Sequence, residues 1–313
     1  MKLWAAFFKL IRYPNLIYIG LTQFLLQYCV VEPVLRSSGE EPSLPVPQFV
    51  LLSLSTILVA AAGYIINDYF DINIDIVNKP EKMVLDKIIS RRWAMAWHTL
   101  LNMAGVSLGF MVAFKTGQFY LGFTQVICSL LLWFYSTSFK RQVLIGNVVI
   151  SLLTALAVVV VGFYEKQIYH SFEAIMSATG RKLIQIIGVY ALFAFLISMV
   201  REVVKDLEDM MGDSKDGCRT LPIVWGVLAA KRLCNMLLLA LAIIILAVEI
   251  RVWVMGWYIA IGYLLVFVQL PCLYIYLQLK KASLPEHYHK VSSLVKVVML
   301  TGILSMIFFK IYL

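Results

Sequence analysis

Charged residues are scarce in this chain. Only 14% of its 313 residues are charged and 61% are hydrophobic, a balance that excludes an ordinary soluble domain. Low-complexity tracts and linker-like stretches are missing too, so we expect a single transmembrane domain over residues 1–313. The composition therefore predicts a polytopic membrane protein.

Cysteine and histidine are also rare, which weakens the case for a site built on paired cysteines and for a metal site built on histidines. The five cysteines include no CxxC pair, and we interpret them as free thiols. His287 and His289 stand close together in a short polar loop, but no third metal ligand lies nearby. A removable signal peptide is not evident, because the apolar run after Arg12 is too long and lacks a small-residue cleavage site.

What the chain has in abundance is long apolar runs. Nine of them are long enough to cross a bilayer, which predicts an all-α bundle of nine transmembrane helices around a central cavity. The seventh and ninth are the least regular, because Lys231 and Lys296 fall within them. The runs cover about residues 14–35, 47–66, 93–114, 118–136, 143–164, 182–200, 227–249, 252–278 and 291–312.

The basic residues predict how the helices are oriented. If the N-terminus is inside, 20 of the 27 Lys and Arg residues fall in inside segments. The positive-inside rule then predicts a cytoplasmic N-terminus in the cell (inner) membrane, with two polar, Asp-rich loops on the cytoplasmic side. The net charge of +9 is explained by this orientation and by contact with anionic lipids, not by nucleic acid binding.

One acidic stretch follows the second apolar run. It reads NDYFDINID, and Asp68, Asp71 and Asp75 fall at spacings of three and four, which place them on one face of a helix. Crowded carboxylates repel one another unless a cation joins them, and a hard divalent ion such as Mg²⁺ suits oxygen ligands.

A matching stretch follows the sixth run. Asp206, Asp209, Asp213 and Asp216 repeat the short spacings within REVVKDLEDMMGDSKDGCRTLP. Acids at helix ends are often solvated loop residues, but two clusters with similar spacing favour a site where metal ions bridge carboxylates to a diphosphate. The two clusters also suggest two halves that face a shared cavity.

Basic and polar side chains stand beside both clusters, where cations could hold diphosphate oxygens. The alternative is plain positive-inside charge, and for Tyr135 an ordinary interfacial tyrosine. Arg12 and Asn15 are one helical turn apart and would share a face. The candidate substrate contacts are Arg12, Asn15, Asn67, Lys79, Lys82, Tyr135, Lys140, Arg141 and Lys205.

Four motifs in this order resemble the UbiA superfamily of intramembrane prenyltransferases. They are NDxxDxxxD at Asn67–Asp75, NKP at Asn78–Pro80, YSxxxKR at Tyr135–Arg141 and KDxxDxxGDxxxGxxTLP at Lys205–Pro222. The resemblance implies a nine-helix bundle and Mg²⁺-dependent transfer of an isoprenoid from its diphosphate.

By this resemblance, Asp68, Asp71 and Asp75 form one metal set and Asp206, Asp209 and Asp213 the other. Of these, Asp68, Asp71, Asp209 and Asp213 are expected to be the catalytic residues. After NKP the chain reads EKMVLDKIISRRW, which departs from the pattern of many relatives and leaves the choice among Lys79, Lys82 and Lys87 open.

The second acidic block looks most like the digeranylgeranylglyceryl phosphate synthase branch of the family. That implies a phosphate-bearing lipid acceptor, for which we expect further cations near the first cluster: Arg12, Lys79, Lys82, Lys87, Arg91 and Arg92. Aromatic acceptors, of the quinone, tocopherol or chlorophyll-precursor type, remain an alternative, as do a membrane transporter and a non-catalytic lipid-binding relative.

Overall fold

A computed structural model describes residues 2–78, 81, 83–169 and 177–313 of the chain. Nine long helices lie within this described part. All nine are long and apolar enough to span a membrane, so the prediction of an all-α, nine-helix membrane protein is confirmed. They are α1 (Tyr13–Arg36), α2 (Val46–Phe70), α3 (Arg91–Lys115), α4 (Phe119–Thr137), α5 (Ile145–Phe163), α6 (Ala178–Lys215), α7 (Gly226–Val254), α8 (Tyr258–Lys281) and α9 (Pro285–Tyr312).

Short helices and turns join the spanning helices. The chain enters α1 from a short helix, Lys2–Leu10, and leaves α2 through another, Ile72–Asn78. A single 3₁₀ turn, Phe139–Arg141, connects α4 to α5. The helices Lys166–Tyr169 and Leu221–Val224 precede α6 and α7.

The surface of α7 shows how an apolar helix is divided between protein and lipid. Between Met236 and Ile250 the exposed side chains are all apolar, as expected where a helix meets hydrocarbon instead of water. The opposite face packs mainly against α6 and α8. The exposed stripe consists of Met236, Leu239, Ile243, Leu246 and Ile250, and the buried one of Ala230, Cys234, Leu238, Leu241 and Ile245.

Small residues allow close helix crossings, because lipid supplies no hydrophobic force that would press helices together. A Cβ atom built on Gly105 of α3 would lie 3.0 Å from the backbone oxygen of Ser55 on α2. At the same crossing, the Ser55 hydroxyl donates a 2.6 Å hydrogen bond to the Gly105 carbonyl. A Cβ atom built on Gly63 of α2 would likewise lie 2.8 Å from the Leu132 side chain of α4.

The sixth helix differs most from its prediction. The apolar run predicts an end near Val200, whereas α6 continues to Lys215 and is 38 residues long. At 1.5 Å per residue this is about 57 Å, well beyond a hydrocarbon core of roughly 30 Å. The second acidic cluster is therefore helical rather than a loop, and its last turns pack against Ile72–Asn78.

The first acidic cluster also deviates from one regular helix. The α-helix ends at Phe70, and Asp71 adopts φ −91° and ψ 2° before the next helix begins at Ile72. The hydrogen bonds from Asp71 N to Asn67 O and from Asp75 N to Asp71 O keep the helical spacing across this break. Asp68 and Asp75 consequently lie on two different helices, which are joined at Asp71.

Arg12 and Asn15 do not share a helix either. Arg12 precedes α1 with φ 51°, in the left-handed region that few non-glycine residues adopt. Pro14 stands in the first turn, where its missing N–H costs nothing. The chain turns at Arg12 because the short N-terminal helix ends there and α1 begins.

The crossing of α2 and α3 yields a test of packing. We expect Gly105→Ala to lower stability by about 1–3 kcal/mol, because its methyl group would overlap backbone atoms of α2. Gly188→Ala on α6 is the matched control, since no atom lies within 4 Å of its Cβ position. Thermal unfolding in detergent measures both variants, and an unchanged melting temperature for Gly105→Ala would contradict the packing argument.

Candidate functional site

An elongated cavity runs inside the bundle between α1, α2, α4, α5, α6 and α9. Its volume of about 250 Å³ far exceeds the roughly 15 Å³ that one water molecule needs, so it accommodates an organic ligand. No lining residue comes from α3, α7 or α8 in the described part of the chain. Most of the wall is apolar, and its polar end is formed by Arg12, Asn15, Tyr64, Asn67, Tyr135, Arg201, Glu202, Lys205 and Lys296.

The first acidic segment lies at this polar end and is bound to basic residues. Arg12 Nη2 donates to Asp68 Oδ1 at 2.6 Å, and its guanidinium lies over the Tyr64 ring. The neighbouring Asp68 carboxylate raises the pKa of Arg12, which is therefore charged at any working pH. Lys140 Nζ pairs with Asp71, whose other oxygen accepts a 2.8 Å hydrogen bond from Asn67 Nδ2.

The turn Phe139–Arg141 joins this segment to the second one. While Lys140 binds Asp71, Arg141 Nη2 donates to Asp216 Oδ2 at 2.8 Å. The backbone N–H of Arg219 also donates to the Arg141 carbonyl at 2.8 Å. Gly146 makes this possible, because a Cβ atom there would lie 2.7 Å from Lys140 Cα.

Asn78 connects the two acidic segments directly. Its Nδ2 donates to the Asp209 carbonyl at 3.0 Å, and its Oδ1 accepts from Gly212 N at 2.9 Å. Residue 212 must be glycine for this contact, since an added Cβ would lie 2.4 Å from the Asn78 amide. Nearby on α6, Asp206 accepts a 2.9 Å hydrogen bond from Asn147 of α5.

The donor set fits a hard divalent cation, although no group of three His, Cys, Asp or Glu side chains is arranged to hold a metal ion within the described residues. The candidate ligands are all oxygens, which Mg²⁺ prefers. Asn67 Oδ1 is buried without a hydrogen-bond partner among the described residues. Burial, and then repulsion from Asp71 and Asp68, raise the pKa of Asp75 to about 6, a strain that a bound cation would relieve.

The structure brings together most of the predicted site residues. Arg12, Asn15, Asn67, Tyr135 and Lys205 line the cavity, and Lys140 and Arg141 pair with acidic residues beside it. The predictions for Lys79 and Lys82 lie outside the described residues.

The expectation of surplus cations near the first cluster is wrong for Lys87, Arg91 and Arg92. All three are exposed, and none lines the cavity. Arg91 instead pairs with Asp86 at the surface, at 2.7 Å. Lys87 lies in the turn before α3, and Arg91 and Arg92 begin α3, a helix that contributes no described residue to the cavity wall.

Sequence reasoning missed several polar residues of the site. Arg201 and Glu202 line the cavity as an ion pair of 2.5 Å, and Lys296 lines it from α9. A signal did exist for Lys296, because a lone charge inside an apolar run is costly and marks a functional site by default. Asn147, inside the fifth apolar run, carried a weaker signal of the same kind.

Comparison with known proteins agrees with this arrangement. The sequence model of the UbiA prenyltransferase family matches residues 31–294. A digeranylgeranylglyceryl phosphate synthase from Methanosphaera stadtmanae is 28% identical over 261 residues, which are 82% of this chain and 86% of that protein.

Two solved structures share the fold. A structure of digeranylgeranylglyceryl phosphate synthase superposes with a TM-score of 0.61 and 23% identity, covering 98% of this chain and 99% of its own. A UbiA homolog from Archaeoglobus fulgidus, bound to DMAPP and Mg²⁺, superposes with a TM-score of 0.55 and 18% identity, covering 96% and 98%.

The link between the acidic segments can be tested without substrate. We expect Asn78→Ala to lower the melting temperature by several degrees, because it removes two hydrogen bonds worth about 1 kcal/mol each. Asn73→Ala, an exposed position on the same short helix, is the control. Equal melting temperatures for the two variants would mean that Asn78 does not hold the segments together.

Proposed function

This chain belongs to the UbiA prenyltransferase family, and we propose that it transfers a geranylgeranyl group from its diphosphate to geranylgeranylglyceryl phosphate, with Mg²⁺ as cofactor. The observation that carries the proposal is the meeting of two acidic segments with several cations at one end of an apolar intramembrane cavity. An isoprenoid diphosphate has the same division, with an anionic head and a long hydrocarbon tail.

The metal assignment rests on chemistry and on a relative. We propose that Mg²⁺ is held by Asp68, Asp71 and Asp75 on one side and by Asp206, Asp209 and Asp213 on the other. Bound Mg²⁺ neutralises the diphosphate and so improves it as a leaving group. The solved homolog from Archaeoglobus fulgidus was bound to DMAPP, itself an allylic diphosphate, together with Mg²⁺, which supports the same pairing here.

The chain's own residues hold the donor. We propose that Asn67, Tyr135, Lys140 and Arg141 contact the diphosphate, together with Lys79 or Lys82. Charge-assisted hydrogen bonds from such cations are about twice as strong as neutral ones, and they stabilise the departing pyrophosphate. Arg12 and Asn15 stand at the same end of the cavity and complete the anion-binding wall.

The reaction breaks one bond and forms another. The bond between C1 of the prenyl group and the diphosphate oxygen breaks, and its electron pair leaves with pyrophosphate. The acceptor hydroxyl then forms an ether bond to C1 and loses its proton. The apolar wall excludes water from the allylic cation, and Tyr135 and Tyr64 line the same cavity, where an aromatic ring can stabilise a cation.

A lipid acceptor suits this site better than an aromatic acid or phenol. Its hydrocarbon chain would lie along the apolar wall, and its phosphate would bind to cations that do not contact the donor diphosphate. The relative from Methanosphaera stadtmanae is named a digeranylgeranylglyceryl phosphate synthase, which supports the same acceptor. A transporter is not supported, because the chain belongs to a family of prenyltransferases.

We propose further that residues 1–313 form one prenyltransferase domain in the cell membrane, with the N-terminus and the active site on the cytoplasmic side. The contacts of Lys140 with Asp71 and of Arg141 with Asp216 support this, because they bring three segments that carry basic residues together at one end of the bundle. Positive segments of this kind stay inside.

A panel of acceptors tests the proposed function. Purified enzyme with labelled geranylgeranyl diphosphate and Mg²⁺ is offered geranylgeranylglyceryl phosphate, homogentisate or 4-hydroxybenzoate, and products are identified by mass spectrometry. We expect the ether lipid alone. Prenylation of an aromatic acceptor, with the glyceryl phosphate left untouched, would overturn the acceptor but leave the family intact.

The carboxylates give a second test. We expect Asp68→Asn and Asp213→Asn each to lower turnover at least about 10²–10³-fold, because each variant loses a charged metal ligand. Asp86→Asn, at a surface ion pair outside the site, is the control. Near-normal turnover of either site variant at limiting Mg²⁺ would show that its carboxylate does not bind metal.

A further inference from the structure

Four cations converge on the polar end of the cavity, from two spanning helices and from the residue that precedes a third. Arg201 and Lys205 are one turn apart on α6 and face the cavity together. Lys296 reaches the same wall from α9, and Arg12 from the residue before α1. This group, Arg12, Arg201, Lys205 and Lys296, is distinct from Lys140 and Arg141, which do not line the cavity.

Two of the four cations lack an ion-pair partner among the described residues. Arg12 pairs with Asp68 at 2.6 Å and Arg201 with Glu202 at 2.5 Å. Lys205 has several carboxylates in its electrostatic surroundings, Asp75, Asp206 and Asp213, but these are the proposed metal ligands. When these carboxylates bind a cation, they no longer neutralise the positive charge of Lys205.

Lys296 is in the least favourable position. Burial disfavours its charge most, the positive charges of Arg201, Lys205 and Arg12 add to this effect, and Glu208 opposes it. Glu208 in turn is hydrogen-bonded to His289 at 3.0 Å. A charge inside a spanning helix that faces three like charges is destabilising, unless an anion binds between them.

The charge of these lysines matches one class of anion. When the aspartates bind a cation, Lys205 and Lys296 carry two positive charges between them, and a phosphate monoester carries roughly −1.5 to −2 near pH 7. Lys296 also lies at the end of an apolar path, since Met299, Ile303 and Met306 follow it along the same face of α9 and line the cavity. A molecule with a phosphate head and a hydrocarbon chain matches both features.

We infer that Lys205 and Lys296, with Arg201, bind the phosphate of the lipid acceptor, while Lys140 and Arg141 serve the donor diphosphate. The inference rests on the proposed function and names residues that select the acceptor. It replaces the earlier expectation that cations beside the first acidic segment, such as Arg91 and Arg92, would do so.

The test is a comparison of KM values for Lys296→Gln. We expect the KM for geranylgeranylglyceryl phosphate to rise about 10- to 100-fold, because a charge-assisted hydrogen bond is lost. The KM for geranylgeranyl diphosphate should change less than about threefold. Wild-type preference for the phosphorylated acceptor over geranylgeranylglycerol should shrink by the same factor, and Lys296→Arg should restore most of it.

Lys290→Gln is the matched control, because it removes an exposed charge from the same helix. A donor KM that rises as much as the acceptor KM would overturn the inference alone and assign Lys296 to the diphosphate. Wild-type enzyme that cannot prenylate geranylgeranylglyceryl phosphate would overturn the proposed function and this inference together. Melting temperatures check that Lys296→Gln folds, and loss of a repelled charge should not lower them.

A measurement on the unmodified enzyme is independent of folding. Glycerol 1-phosphate carries the head of the acceptor without its chain, so we expect it to compete with geranylgeranylglyceryl phosphate and not with the donor. Competition with the donor alone would contradict the inference.

Discussion

Repulsion among carboxylates at one end of the bundle is the constraint that organises this protein. Asp68 and Asp71 belong to one segment and Asp206 and Asp213 to another, and their charges lie in a partly buried region where water screens them poorly. The partners that neutralise them come from elsewhere in the chain. Arg12 precedes α1, and Lys140 follows α4.

Electrostatic pairing therefore holds the segments together at this end, as apolar packing holds the helices together in the rest of the bundle. The turn Phe139–Arg141 is attached to both acidic segments, and Asn78 attaches the segments to each other. The same oxygen atoms that bind basic side chains are suited to a divalent cation. The site is thus held in shape by charges that a substrate and its metal can also use.

The sequence alone predicted the number and order of the spanning helices. Each helix that crosses a bilayer requires a long apolar run, and few other elements of a protein contain apolar runs of that length. The helical spacing that the sequence indicated for Asp68, Asp71 and Asp75 is also kept, because backbone hydrogen bonds span the break at Asp71. The sequence did not predict the extension of α6, because its acidic turns resemble a loop until the contact between Gly212 and Asn78 is known.

Partners that are distant in the chain could not be predicted at all. Asn78 and Gly212 are 134 residues apart, and Asn147 and Asp206 are 59 apart. No local pattern relates such pairs, whose contact depends on how the helices cross. For the same reason, basic residues near the first cluster in sequence, such as Arg91 and Arg92, do not line the cavity, whereas Lys296 does.

The absence of α3, α7 and α8 from the described cavity wall separates two tasks within one chain. Helices that surround the cavity must conserve shape and charge for chemistry. The outer stripe of α7, from Met236 to Ile250, needs only to remain soluble in hydrocarbon. Adaptation to a thicker, thinner or more fluid bilayer can therefore proceed by exchanging side chains on this stripe, while the side chains that line the cavity are left unchanged.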